Sequence, residues 1–552
     1  MNRANRGCLT GLDTPLLLLL LSAAGGVWIA YDKTAAVYKF ALIALGLVLC
    51  AGLARIPGQI RVGKWEAPVL EWTLGSLPTL VAVYFFLTND WASRFGKVAW
   101  LDPAMRWFAG WQPNIAGLSL NSNVIGGVIA AFLPLQVAAL FQGRIVRPAW
   151  IAVALTATSA LGLLMSASRG AWLALTLVAV GWGLWQGIKR RVRQGVITPP
   201  VAQAAWAIIL ATFLVSVALF LVLTPWGERL LALRSDRLTV WRNSLDLAND
   251  YAFTGLGLGN FEMAYSSYVL LVHVGHTLHA HNLYLDIWLE QGLVGLGAVS
   301  WIIIYAVWSI FRENVLGQHW GSAALASLGV ILIHGLVDDA FYGYGGRAVF
   351  LFFLPLAVLT RSRTLYGAPH RELRRILTPT LLGGTVVLIV GISLLPGVQA
   401  AFKANIGAVA QTQIELSGYH WPESVFQDVV RRSAKTKLES AIAWYQSALE
   451  SAPDNATANR RLGQIELSFG QLAGARSHLE AAYAAAPGQR ATRQLLGECY
   501  ALAGETGQAA ALWRTIDVNE GQLELRQWWY REYLGERELA ARMMQAQTAL
   551  GQ

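Results

Sequence analysis

The chain has 552 residues, of which 55% are hydrophobic and only 14% charged, against roughly 25% charged in soluble domains. Its mean hydropathy is +0.44, a composition that excludes a soluble globular protein and fits a polytopic membrane protein. The formal net charge of +10 gathers beside apolar runs, as in Lys189, Arg190, Arg191 and Arg193 or Arg371, Arg374 and Arg375; such clusters orient a chain in a bilayer and argue against nucleic acid as a partner.

A span needs about 20 mostly apolar residues, and eleven runs meet that test: 15–31, 35–53, 68–88, 122–141, 149–166, 170–188, 203–224, 292–311, 321–340, 348–360 and 379–396. The first follows Arg3 and Arg6 in the outline of a signal peptide, but the spans behind it make it a first transmembrane helix. The tenth is short enough to be re-entrant. Lys and Arg concentrate in alternate loops, which puts the N-terminus in the cytoplasm and places loops 89–121, 167–169, 225–291 and 341–347, with everything after residue 396, outside it. Three cysteines, Cys8, Cys50 and Cys499, are too scattered for a disulfide framework or a metal site.

Arg169 sits in Ser166, Ala167, Ser168, Arg169, Gly170, between two apolar runs. An arginine at a membrane boundary is costly without an anionic partner, and its guanidinium suits phosphate oxygens. In the long loop 225–291, residues from Asp236 to Asn249 read as a helix carrying Arg237, Trp241 and Arg242, and Phe253 to Phe261 as a tight turn built on Gly255, Gly257 and Gly259. That alternation differs from a dinucleotide-binding fingerprint, and no strand precedes it.

His273, His276, His279 and His281 crowd nine positions, but their spacings match no closed metal site and no single helical face holds all four. After His281, the residues Asn282, Asp286 and Glu290 recur every four positions, a short helix with a polar stripe that Gly292 is placed to bend. Histidine titrates near neutral pH, so His281 suits a general base, with Asp286 either the base itself or the group that orients the imidazole. Tyr284 lies on the same helix. Arg347 and the pair Asp338 and Asp339 flank another outer turn as weaker candidates.

Beyond Pro396 the composition changes and a 34-residue self-similarity begins: Leu462, Gly463, Gly470 and Ala475 recur as Leu496, Gly497, Gly504 and Ala509. The pattern resembles tetratricopeptide repeats, two good copies at about 455–521 and a weaker one at Ala441, Tyr445 and Ala448, with a surface suited to a protein partner. The expected fold class is all-α: a polytopic membrane bundle of about eleven spans (1–396), a linker (397–435) and an extracytoplasmic repeat solenoid (436–552).

His281 and Asn282 with Gly292 nine residues further on, Arg169 with Leu173 at the start of a span, and Arg242 ahead of Thr254, Gly255, Leu256 and Gly257 together resemble the O-antigen ligase and polymerase superfamily of bacterial membrane glycosyl transferases, over roughly residues 120–345. The resemblance implies a bacterial inner-membrane enzyme that takes a glycan from an undecaprenyl-diphosphate carrier and passes it to a hydroxyl of lipid A-core, polysaccharide or protein, with no cofactor and no obligatory metal. It implies that Arg169 and Arg242 hold the diphosphate and that His281 activates the acceptor in one inverting displacement. Arg237, Asn282, Asp286, Tyr284 and Arg347 are the expected substrate-binding neighbours. The repeat domain departs from simpler lipopolysaccharide ligases and leaves the acceptor open. Two other classes compete. A transporter would use ionisable groups such as His334 and Lys39 within spans, and a scaffold would use the repeats alone.

Overall fold

The computed structural model describes residues 12–55, 60–62, 65–67, 69–91, 98–111, 121–142, 149–196, 198, 235–269, 277–312, 319–343, 347–366, 391–420, 424, 426–516, 518 and 520–551. Within them the chain is helical apart from one departure from the all-α expectation, an antiparallel hairpin of β1 (Ile60–Val62) and β2 (Trp65–Ala67). The membrane part contains α1 (Asp13–Ile29), α2 (Lys33–Arg55), α3 (Val69–Thr88), α4 (Asp102–Trp111), α5 (Ser122–Val137), α6 (Ala149–Met165) and α7 (Arg169–Arg193). It continues through α8 (Ser235–Asp250), α9 (Phe261–Val269), α10 (Leu283–Arg312), α11 (His319–His334) and α12 (Val349–Tyr366).

Lys33–Ala54, Ser122–Leu140, Arg169–Val192 and Leu283–Val307 are long and apolar enough to cross a membrane, and Asp13–Ile29, Thr73–Thr88, Ala149–Met165, Trp320–His334 and Val349–Thr360 are shorter apolar helices. The protein is therefore a multi-pass membrane protein, with each of these helices overlapping an expected span. The expected spans 203–224 and most of 379–396 lie outside the described residues, as do His273, His276 and the cluster Arg371, Arg374 and Arg375.

Small residues let these helices approach closely, which is how helices associate where lipid removes the hydrophobic drive. Gly46 of α2 faces Phe353 of α12, and Gly162 of α6 faces Ala82 of α3. Gln136 ties α5 to α3 by donating to the Gly75 carbonyl at 2.9 Å and the Thr79 hydroxyl at 2.7 Å, and Thr79 meets Ser159 of α6 at 3.1 Å.

The α10 helix breaks at Gly292, whose φ of +63° and ψ of −166° are non-helical. A Cβ there would collide with the Phe253 carbonyl, so glycine is required both by the dihedral and by the space. The break frees backbone groups that the glycine-rich turn then satisfies. Leu256 N–H donates to the Leu289 carbonyl at 2.6 Å, and Leu293 N–H to the Ala252 carbonyl at 2.9 Å.

The segment 397–435, expected as a linker, instead holds α13 (Pro396–Ser417) and the short α14 (Gln427–Arg431). Ala400, Ala404, Gly407 and Ala408 make a narrow face of small residues along α13, and a Cβ on Gly407 would stand 2.6 Å from the Tyr445 ring. That face packs on α15 (Glu439–Ser451).

Behind it come α16 (Ala456–Ser468), α17 (Leu472–Ala485), α18 (Arg490–Leu502), α19 (Thr506–Arg514), α20 (Glu520–Trp528) and α21 (Arg537–Gly551). The 34-residue pattern lands on equivalent places in two successive helix pairs. Gly463 of α16 receives Leu479 of α17 and Gly497 of α18 receives Trp513 of α19, while Ala475 and Ala509 are completely buried.

Candidate active site

Positive φ outside glycine occurs at two places among the described residues, Ala167 at +53° and His281 at +54°. Such a conformation costs on the order of 1–3 kcal/mol and persists only where surrounding contacts enforce it. Both positions fall inside the motifs that the sequence marks, and one turn, residues 334–343, touches both motifs, at His281 and at Gly170.

On the His281 side, the turn holds the start of α10. Asn282 caps that helix, its side-chain oxygen accepting from Tyr284 N–H and Leu285 N–H at 3.1 Å each, and its amide donates to the Leu336 carbonyl at 3.1 Å. Leu283 N–H donates to the Gly335 carbonyl at 2.8 Å, and Tyr284 Oη to the Leu332 carbonyl at 3.1 Å. On the Ala167 side, His334 and Val337 press against glycines. A Cβ on Gly170 would lie 3.0 Å from Val337, and one on Gly127 would lie 3.0 Å from the His334 ring. Arg169, next to Gly170, stands exposed as the first residue of α7, where the unpaired amides of the first turn add positive potential.

Asp338 is the hub. Its Oδ1 lies 3.2 Å from His281 Nδ1, and its Oδ2 accepts from the Asn123 amide at 2.7 Å and from the Arg237 guanidinium at 3.2 Å. Arg237 also donates to the Val337 carbonyl. Burial alone would raise the Asp338 pKa, but the His281 hydrogen bond and the Arg237 charge outweigh it and hold the carboxyl well below the usual carboxylate range. The side chains of His281 and Arg237 each remain 30% exposed while that of Asp338 is 7% exposed, so a buried anion orients two groups that reach solvent. With Nδ1–H donating to Asp338, the Nε2 lone pair of His281 is left to accept a proton.

Asp286 is committed elsewhere, accepting from Ala280 N–H at 2.7 Å and lying 3.6 Å from His279 Nδ1. Burial opposes protonation of His279, yet the nearby Asp286 carboxylate raises its pKa. Asp339 anchors the turn by accepting from Tyr342 N–H at 2.8 Å and Gly343 N–H at 2.7 Å. Burial first, and then the Asp286 charge, push its pKa up.

His279, His281 and Asp338 offer ligand atoms within 4.8 Å of one another, room enough for a metal ion. A cation there would compete with the Arg237 guanidinium for Asp338, and that repulsion disfavours it.

The structure thus brings together Arg237, His281 and, through Gly170 and Val337, the backbone beside Arg169. It does not bring Arg242, which is exposed on α8 near Gly488 of the C-terminal helices, five residues and so about 140° around the helix from Arg237. Arg347 is exposed at the end of the 334–347 region. Asn282, Tyr284 and Asp286 hold the architecture. Asp338 and Asn123 are the residues that sequence reasoning underweighted or missed; the doublet Asp338 and Asp339 in an outer turn was the available signal.

The fold and site define a multi-pass helical membrane protein with a histidine–carboxylate–arginine centre at one end of its bundle. Residues 154–300 match the family model described as O-antigen ligase, a stretch that includes Arg169, Arg237, Arg242, His281 and Gly292 but stops short of Asp338. No curated protein matches the chain. The match supports a membrane glycosyltransferase of the O-antigen ligase and polymerase type.

Proposed function

We propose that the protein transfers a glycan from an undecaprenyl-diphosphate carrier to an acceptor hydroxyl, as an O-antigen ligase does, on the extracytoplasmic face of a bacterial inner membrane. The observation that carries this reading is the shared carboxylate of Asp338, which pairs a solvent-reaching imidazole with a solvent-reaching guanidinium. His281 Nε2 takes the acceptor hydroxyl proton as the oxygen bonds to the anomeric carbon, and the bond from that carbon to the diphosphate breaks on the opposite face. Arg169 and Arg237 receive the charge released on the leaving diphosphate, in a partly dehydrated site where fixed cations act most strongly. Arg237 takes the part that the resemblance assigned to Arg242. No metal is needed for this step when two guanidinium groups face the phosphates.

A small apolar cavity lined by Leu19, Ile43, Leu283, Ile287, Phe352 and Phe353 among others begins two residues along the chain from His281, and the apolar helices around it would face the polyprenyl chain of the carrier. The C-terminal array, read as tetratricopeptide repeats, stands outside the cytoplasm with the site and faces the glycan or its acceptor, be that lipid A-core, polysaccharide or protein.

The test is the glycan profile of a deletion strain complemented with wild type or His281→Ala. Accumulated lipid-linked glycan and one acceptor class stripped of its sugar, restored by wild type alone, are the expected result. Unchanged lipopolysaccharide, free polymer and glycoprotein in every strain would remove the proposal.

A further inference from the structure

Residues 250–254 carry the chain from the end of α8 into the glycine-rich turn, and four of these five are gripped by the C-terminal helices α13 and α16. Asp250, completely buried, accepts from Arg460, from Arg461 at 2.8 Å and from the Thr457 hydroxyl at 2.8 Å. Tyr251 Oη accepts from Arg461 at 2.9 Å and meets the Thr412 hydroxyl at 2.5 Å. Asn405 of α13, also completely buried, accepts from Phe253 N–H at 2.9 Å and Thr254 N–H at 3.2 Å, and donates to the Thr254 hydroxyl at 2.7 Å. The remaining residue, Ala252, serves α10 instead: its carbonyl accepts from Leu293 N–H at 2.9 Å and from the Trp288 indole at 3.1 Å. The C-terminal helices, α8 and α10 therefore meet in one knot of five residues.

That knot lies far from the transfer centre, yet one rod joins them. Asp250 is the last residue of α8 and Arg237 is near its start, thirteen residues and so about 20 Å away. A rigid helix carries a displacement of one end to the other. The start of α10 is fixed independently, through the bonds of Asn282 and Leu283 to the 334–343 turn. Helix α8 reaches the same turn through Arg237, on Asp338 and the Val337 carbonyl, and has its other end seated in the knot.

We propose that Asp250, Arg461 and Asn405 are positioning residues for transfer: by seating the end of α8 they place the Arg237 guanidinium against the leaving diphosphate. The inference rests on the transferase reading of the His281 centre and makes α13 and α16 a working part of that centre rather than a separable docking module. Buried ion pairs gain little net stability over apolar packing of the same volume, because desolvation offsets their attraction; what this one supplies is a single register of α8 on α16. Misplacing a reacting group by about 1 Å can cost roughly 10²-fold in rate, so a loosened seat slows turnover in protein that is still folded.

Full-length protein reconstituted with a lipid-linked glycan donor tests this, with kcat measured at saturating donor and below the thermal midpoint of every variant. Asp250→Asn keeps the side-chain shape and removes its charge, while Asn405→Ala is a neutral change that leaves the ion pairs in place. Each is expected to lower kcat about tenfold, and neither to lower it further in an Arg237→Ala background, because both act through that guanidinium. A merely structural role would lower the thermal midpoint and leave the kcat of folded protein at the wild-type value, or lower it by the same factor with and without Arg237; either result overturns the proposal. Equal transfer by wild type and His281→Ala would remove the transferase reading and this inference with it. Transfer abolished in His281→Ala but undiminished in both positioning variants would remove this inference alone.

Discussion

Two of the buried carboxylates that receive arginines, Asp250 and Asp338, serve opposite ends. Asp250 is fully enclosed, and its partners Arg460 and Arg461 have side chains only 3% and 10% exposed. Asp338 is buried as well, but Arg237 and His281, which it holds, are each 30% exposed. Where both partners are buried, the charges are consumed in joining the C-terminal array to α8. Where the anion is buried and its partners reach outward, their remaining donors and lone pairs are available to a substrate, and the left-handed backbone of His281 adds strain of the kind that collects at functional sites.

The sharpest way to break that contrast is to compare two arginines on one helix. Arg237→Ala should lower transfer by roughly 10²-fold or more, as losing a preorganised charge-stabilising donor does. Arg242→Ala, at an exposed position, should stay within about threefold of wild type. Rates measured in purified membranes decide it, and the reverse order would mean that exposure near Gly488 matters more than the Asp338 hub.

At the enclosed end the expected effect falls on stability. Asp250→Ala leaves Arg460 and Arg461 buried without their anion, at a cost of about 3–5 kcal/mol, read as a lower thermal midpoint in detergent. A midpoint equal to wild type would show that the pair contributes nothing to joining α8 and the array.

The smallest effect concerns His478, whose Nδ1 lies 2.8 Å from Glu466 Oε2. That hydrogen bond raises the imidazole pKa against partial burial. A raised folded value stabilises below the unfolded pKa of about 6.5 and is lost as pH climbs through the folded one. The array should therefore melt slightly higher at pH 5 than at pH 8, by less than about 1 kcal/mol of stability, and His478→Gln should flatten the difference in a pair of melting curves.

Much of this architecture was legible along the chain because it depends on neighbours in sequence. The apolar runs at 122–141, 149–166 and 170–188 mark α5, α6 and α7, and the alternating glycines announce the turn at Gly255, Gly257 and Gly259, all at positive φ. Gly292 was marked as a bend, and the short polar-striped helix expected after His281 is the first part of α10, which begins at Leu283 and runs on into the apolar span. What escaped is pairing across long separations. Arg237 meets Asp338 across 101 positions and His281 meets it across 57, and nothing in helical periodicity favours Arg237 over Arg242 as the partner. The α13 helix escaped for another reason: its buried residues are mostly alanine, glycine and polar side chains such as Asn405, Gln411 and Glu415, which carry little of the apolar contrast that marks a buried helix.

The central claim is that His281 and Asp338 act as one unit on the acceptor hydroxyl. The most direct measurement is the transfer rate of purified protein, reconstituted with a lipid-linked glycan donor, for His281→Ala, Asp338→Asn and the double variant. The account predicts that each single change lowers the rate by roughly 10²–10⁴-fold and that the double variant is no slower than the slower single one, as expected of groups acting together. Full activity in His281→Ala, or losses that multiply in the double variant, would contradict it.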